Sequence, residues 1–515
     1  MFIKLLLLLV FFGVMIWVGF YSRRHATNVN DFILGGRGVG PWLTAFAYGT
    51  SYFSSVVFVG YAGQFGWKYG LASTWIGLGN AFIGSLLAWL VLGRRTRIMT
   101  QKLDSRTMPD YFGKRFQSKA LQIAGSAIAF VFLIPYTSSI YNGLSRLFGM
   151  AFSIDYKICL IVMALLTGVY VIAGGYMATA LNDFIQGIIM LFGICAVILA
   201  VLKGQGGFLK AVHELSLIPA DDVAVPALQG SQGLFASFFG PDPMGLLGVV
   251  ILTSLGTWGL PQMVHKFYAI KDEKAIQKGT IVSTFFAVVV SGGCYFLGGF
   301  GRLYHKDPAI YNPDGSVAFD SIVPQMLSTL PDLLVGIVIV LVLSASMSTL
   351  SSLVLTSSST LTLDFLKKSV WKTMDEKTQL IVMRVLIAFF ILLSVVLALN
   401  PPTFIAQLMG ISWGALAGAF LAPFLFGLYS KKVTAASVWA SYCVGVGITI
   451  LNLFLHFIAS PINAGAIAML AGLVTVPLVS LVTPKPDPAF VDDLFTCYEE
   501  PVLVRRGHSL TEEQK

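Results

Sequence analysis

Apolar residues in this chain gather into long runs instead of alternating with polar ones at a helix or strand period. Thirteen runs, separated by charged or Pro/Gly-rich breaks, lie roughly at 2–20, 41–66, 71–93, 121–150, 156–176, 178–202, 244–268, 280–301, 333–360, 380–399, 403–428, 434–456 and 464–483. About 20 predominantly apolar residues suffice to cross a bilayer as a helix. A backbone facing lipid must satisfy its hydrogen bonds within the segment, so these runs predict helices and an all-α polytopic membrane protein.

Some runs are interrupted in mid-membrane. The second reads Pro41-Trp42-Leu43-Thr44-Ala45-Phe46-Ala47-Tyr48-Gly49-Thr50-Ser51-Tyr52-Phe53-Ser54-Ser55. A helix that unwinds there exposes carbonyls, which is tolerated only where they line a cavity or bind an ion. A continuous helix with small packing residues is the other reading. The seventh run, five runs later, carries Ser254-Leu255-Gly256-Thr257-Trp258-Gly259-Leu260-Pro261-Gln262. Interrupted helices at matching places in two halves point to a central binding site. The eleventh run holds Gly410, Gly414 and Gly418; that spacing signals close helix packing, and no ligand role is expected of it.

Composition narrows the class further. Hydrophobic residues make up 56 % of the 515 and charged ones 11 %, with a mean hydropathy of +0.79. Soluble domains carry roughly 25 % charged residues, so a water-soluble enzyme is excluded. The net charge of +9 invites a nucleic-acid partner, yet the basic residues follow the cytoplasmic-loop rule instead. Lys4 precedes the first run, no small-x-small cleavage site follows it, and Arg23 and Arg24 lie behind it. That pattern predicts an uncleaved anchor with the N-terminus outside and, by alternation, the C-terminus inside. With this topology 26 of the 34 Lys and Arg fall inside, Lys266, Lys271, Lys274 and Lys278 among them as one loop group. Longer outside loops are expected at about 203–243 and 302–332. Five well-separated cysteines without a CxxC or Cys/His spacing indicate neither a disulfide framework nor a zinc site. No nucleotide-binding motif or kinase module is attached, which removes ATP-driven pumps and sensor fusions.

Few groups can carry chemistry at membrane depth. Asp183 lies one to two turns into the sixth run, and its sign suits a cation; a carboxylate capping a helix start is the plainer alternative. The ninth run holds Ser344-Ala345-Ser346-Met347-Ser348-Thr349-Leu350-Ser351-Ser352, and positions 345, 348, 349 and 352 share a helix face. Hydroxyls and carbonyls are hard donors suited to a small cation, although helix packing is the commoner source of such enrichment.

Four motifs resemble the sodium/solute symporter family, which includes sodium/proline, sodium/pantothenate and sodium/galactose transporters. They are Asp31-Phe32-Ile33-Leu34-Gly35-Gly36-Arg37; Pro109-Asp110-Tyr111-Phe112 with Arg115-Phe116; Gly174-Gly175-Tyr176 with Asn182-Asp183-Phe184-Ile185-Gln186-Gly187; and Met347-Ser348-Thr349-Leu350-Ser351. The resemblance covers essentially the whole chain. It implies a leucine-transporter-like fold of thirteen transmembrane helices with a 5+5 inverted repeat, about 41–202 and about 244–428. Extra helices at 2–20, 434–456 and 464–483 complete a single symporter domain, 1–483, ahead of a cytoplasmic tail, 484–515. The family's main sodium site, carried over by position, takes the Thr50, Phe53 and Ala345 carbonyls with the Ser348 and Thr349 hydroxyls. Some members bind a second sodium, which here points to Asp183, Ser351 and Ser352 with Ser348 and Thr349 shared. The resemblance thus implies one or two sodium ions and no organic cofactor.

The solute is less constrained. Sodium/proline transporters carry an aspartate where this chain has Tyr52, and aromatic residues where it has Val56, Thr253 and Thr257, while Tyr136 matches. Gly259-Leu260-Pro261 followed by Lys271-Asp272 is similar to the pantothenate and proline branch. The expected cavity is lined by Tyr52, Val56, Tyr136, Thr257, Trp258 and Gln407. Aromatic walls with few fixed charges suit a small zwitterion such as proline or a carboxylate such as pantothenate, and equally a sugar or polyol. The expected activity is sodium-coupled import by alternating access in the cell membrane, by a monomer whose partners are the solute, sodium and the bilayer. Proton coupling is the nearest alternative; a passive channel or transport-like receptor belongs to another class. A channel needs rings of like charge or repeated carbonyl loops, and none is visible.

Overall fold

The computed structural model describes residues 2–22, 28–152, 154–220, 226–401, 403 and 405–499. Arg23, Arg24, Arg505, Arg506 and Lys515 lie outside them, as does all of the region after residue 499. The described chain is almost wholly helical; its only extended pairings among those residues are isolated bridges at Val39–Ile270 and Tyr311–Val317.

All thirteen apolar runs fall on helix, but they are not thirteen uniform rods. Among the described residues ten helices are long and apolar enough to cross a membrane, and eleven if Pro243–Gly259 and Pro261–Ala269, bent by 46°, form one span. The difference comes from three places. The second run is cut at Phe53, whose φ of −103° and ψ of 133° are extended. The part after that cut runs on with the third as Val56–Lys102, and the fifth contributes a shorter apolar helix, Tyr156–Val169. The fifth and sixth runs meet at Gly175, with φ 57° and ψ −152°. Only glycine adopts that conformation readily, and a Cβ there would also strike the Phe32 ring at 2.7 Å.

Local chemistry sets the ends. Proline stands in the first turn of Pro41–Tyr52, Pro243–Leu255, Pro261–Ala269 and Pro461–Val482, where a missing N–H costs nothing. The Asn28, Thr107, Asp272 and Thr434 side chains each accept a backbone N–H at a helix start. Two motif segments act as clamps on one side of the bundle. The Arg37 guanidinium donates to the Ser105 carbonyl at 2.7 Å, and Arg115 donates to Gly427 and Ser430 carbonyls at 3.1 and 3.0 Å. Burial lowers the Arg37 pKa, and Asp104 offsets part of that. Gln122 donates to both Asp110 (3.0 Å) and Asp364 (2.9 Å), joining the second motif to the helical segment Leu361–Val370 that follows the ninth run.

The eleventh run, Ile405–Tyr429, packs on Ala435–Leu455 and Pro461–Val482. A Cβ on Gly445 would lie 2.2 Å from the Gly418 backbone, so these helices touch main chain to main chain. The ninth run, Asp332–Thr360, is the central post: every residue from Leu341 to Thr360 is buried. It touches the first, fourth, fifth and sixth helices and the first half of the broken second run.

Candidate ion and solute site

The cut in the second run and the hydroxyl-rich stretch of the ninth meet at the Thr349 side chain. Its Oγ1 lies 2.8 Å from the Phe53 carbonyl, 3.3 Å from the Thr50 carbonyl and 3.1 Å from the Ala345 carbonyl. The contact with Ala345 is the ordinary back-bond of a helical threonine. The other two cross between helices and exist because Phe53 leaves the helix. One hydroxyl proton satisfies only one of three acceptors, so hard oxygens outnumber donors here. That is the donor chemistry a small alkali cation takes, and the residues fit sodium. Ser348, the fifth predicted ligand, instead donates to the Thr50 hydroxyl at 2.7 Å, which in turn donates to the Phe46 carbonyl.

Further hydroxyls stitch the two elements together. The Ser55 N–H donates to Ser346 Oγ at 2.9 Å, and the Ser51 and Ser352 hydroxyls bond at 2.8 Å. Ser51, Ser55 and Ser346 were not singled out as functional from sequence. The signal available was their presence in the two stretches already flagged.

The region around Asp183 differs from expectation. Asp183 is fully buried, but its nearest charged partner is Lys266, with Nζ 3.7 Å from Oδ2. Lys266 Nζ also donates to Ser352 Oγ at 3.0 Å and lies 5.3 Å from the centre of the Tyr176 ring. The reading of Lys266 as a loop lysine is therefore corrected: its side chain is 3 % exposed. The cause is the second interruption. Leu260 is extended, with φ −86° and ψ 121°, and the helix Pro261–Ala269 restarts against the second-run helix Pro41–Tyr52 and the ninth run. A residue near the end of an apolar run is thereby turned into the bundle. Of the other members of the expected second ion set, Ser351 donates to the Ser348 carbonyl at 2.8 Å, which leaves its oxygen lone pairs available, and Thr349 belongs to the first cluster. A second cation on Asp183, at about 4 Å from an ammonium, would meet a repulsion of about 4 kcal/mol at an effective dielectric of 20. The Lys266 ammonium thus competes with any second cation for the Asp183 carboxylate.

Of the expected solute-lining residues, Tyr52 and Tyr136 come together through a residue not anticipated. Trp413 of the eleventh run lies 5.8 Å from Tyr52 and 5.9 Å from Tyr136, ring centre to ring centre. The eleventh run thus contributes an aromatic contact to these two tyrosines as well as its packing glycines. The Tyr52 hydroxyl donates to the Thr253 carbonyl at 2.6 Å, binding the two interrupted runs. Val56 is fully buried at the restart of the second run. Thr257 donates to the Ser254 carbonyl at 2.8 Å. Trp258 points its indole N–H to the Ile83 carbonyl at 3.0 Å, toward the third run. Gln407 is bonded to Thr403. A separate cavity of about 700 Å³ opens beside the end of the fourth run, lined by Asn142, Arg146, Tyr156, Asp320 and Gln325. There burial raises the Asp320 pKa, with Arg146 at 3.7 Å opposing the shift.

Comparison with known proteins places these features in a lineage. Residues 32–445 match the model of the Sodium:solute symporter family. The chain is 29 % identical over 488 residues to the osmoregulated proline transporter OpuE of Bacillus subtilis (strain 168), covering 93 % of this chain and 94 % of that one. It is likewise 29 % identical over 456 residues to a sodium/proline symporter of Staphylococcus aureus (strain JH9), covering 87 % and 85 %. In fold it is similar to a Na+-coupled sialic acid symporter solved in a substrate-bound outward-open state, with a TM-score of 0.72, 16 % identity, and coverage of 95 % and 99 %. The fold is that of the leucine-transporter class.

Proposed function

Because the chain belongs to the sodium:solute symporter family, we propose that it couples sodium entry to solute import through the oxygen cluster between the cut at Phe53 and Thr349. It is a multi-pass transporter of the cell membrane, not an enzyme. The observation that carries the site is the Thr349 hydroxyl within reach of the Thr50 and Phe53 carbonyls on a different element. A sodium ion held there ties the broken second run to the ninth. Its binding therefore selects the arrangement in which the two are together, and inward movement of its charge is driven by about 2.3 kcal/mol per 100 mV. The 41–202 and 244–428 segments act as inverted repeats that rock about this centre, in a single chain with the N-terminus outside.

The solute is a small zwitterion or carboxylate, with proline the first to test, since both relatives named above are proline transporters. The aromatic group of Tyr52, Trp413 and Tyr136 supplies its apolar wall. Sealed proteoliposomes loaded with potassium test the reading. Labelled proline, and pantothenate in a parallel series, should accumulate above the external concentration only under an inward sodium gradient. Accumulation that persists at fixed pH when potassium replaces external sodium would assign the coupling to protons. Equilibration without accumulation would make the protein a passive pathway.

A further inference from the structure

We propose that the Lys266 ammonium takes the place of a second sodium ion, so that this transporter binds one sodium with its solute. The inference rests on the sodium coupling proposed above and concerns a different group of residues from the Thr349 cluster. Three groups from two helices converge on Lys266 Nζ: Asp183 of the sixth run at 3.7 Å, the Tyr176 ring on the same helix, one residue past the Gly175 bend, at 5.3 Å, and Ser352 of the ninth run at 3.0 Å. A carboxylate, a hydroxyl oxygen and a ring face are the partners of a cation. An ammonium on a tether meets them without any ion being drawn from solution.

The Lys266 and Asp183 charges are both removed from water, with side-chain exposures of 3 % and 0 %, which is expensive unless each serves the other. Ser352 already shares its hydroxyl with Ser51 of the second run, so the lysine also draws the inner half of the seventh run toward the same seam that the first sodium closes. Since Lys266 cannot leave with the solute, the tether contributes to holding the site but adds no sodium to the transported set. The two interrupted runs are thus held to the ninth in different ways, one by an exchangeable cation and one by a covalently attached one.

Sodium binding by the purified full-length protein tests this without relying on transport. Titration with labelled sodium in detergent should saturate at one ion per chain, with a Hill slope of one. Lys266→Met should raise the count to two and make the isotherm cooperative, and adding Asp183→Asn should return it to one. Lys266→Arg, which keeps the charge in place, should leave the count at one and serves where the methionine variant is not monodisperse. Two ions on the wild type, or an unchanged count of one on a folded Lys266→Met protein, overturns the proposal. Loss of all binding in Thr349→Ala alongside one ion on the wild type keeps the first site. No sodium on the wild type at all would instead bring down the coupling on which the inference rests.

Discussion

The two candidate regions, around Thr349 and around Asp183, meet the ninth run on neighbouring turns, at Thr349 and Ser352, yet are built on opposite principles. Around Thr349 the donors are neutral oxygens, two of them main-chain carbonyls that an interruption in the second run releases. Around Asp183 the donor is a full carboxylate, and the chain supplies its own counter-charge through Lys266. A neutral cage leaves net charge to be supplied by whatever ion enters, so it can bind and release. A carboxylate paired with an ammonium is already compensated and gains little from another cation. The difference teaches that a residue set competent for an ion does not make an ion site; the remaining charges nearby decide.

The comparison breaks most sharply at the charged pair. Asp183→Ala leaves an ammonium buried without its partner, and breaking such a pair typically removes about 3–5 kcal/mol of stability. Thermal unfolding in detergent should show a large fall, and the double variant Asp183→Ala, Lys266→Met should recover most of it. An equal fall in single and double variants would mean that the two charges are not coupled. Next in size is Thr349→Ala, which removes a hydroxyl from the neutral cage. The sodium concentration for half-maximal uptake should rise at least about ten-fold, or about 1.4 kcal/mol, with melting temperature nearly unchanged in the absence of sodium. An unaltered sodium dependence would dismiss the cage. The smallest effect belongs to Ser348→Ala, whose hydroxyl donates to the Thr50 side chain. Loss of one such bond is worth about 0.5–1.5 kcal/mol, so half-maximal sodium should move a few-fold, clearly less than for Thr349→Ala. A reversal of that order would place Ser348 in the cage and Thr349 at its edge.

Much of the site was legible from local pattern. Gly49-Thr50-Ser51 and Gly259-Leu260-Pro261 marked the second and seventh runs as places where a helix could break, because glycine, hydroxyl and proline residues weaken it; the second run stays helical through Gly49–Ser51 and breaks just past them at Phe53, the seventh at Leu260. Gly175 stood in a motif, and its left-handed conformation explains why a side chain is unwelcome there. Lys266 was misread for a physical reason: a charge near the end of an apolar run belongs in a loop if the run is straight. The 46° bend between its two halves turns it inward. Trp413 escaped because a tryptophan among small residues looks the same whether it faces lipid, a neighbouring helix or a cavity.

The apolar runs, the bias of basic residues and the order of motifs are one-dimensional properties, and they determined the membrane, the helical class and the family without any coordinates. Which oxygens share a neighbour is a three-dimensional property. Thr50 and Thr349 are separated by 299 positions, and Asp183 and Lys266 belong to different runs, so their meeting depends on how bent helices pack. Local sequence sets where the chain breaks. Only packing decides what the broken ends face, because burial and electrostatic pairing are properties of the assembled bundle.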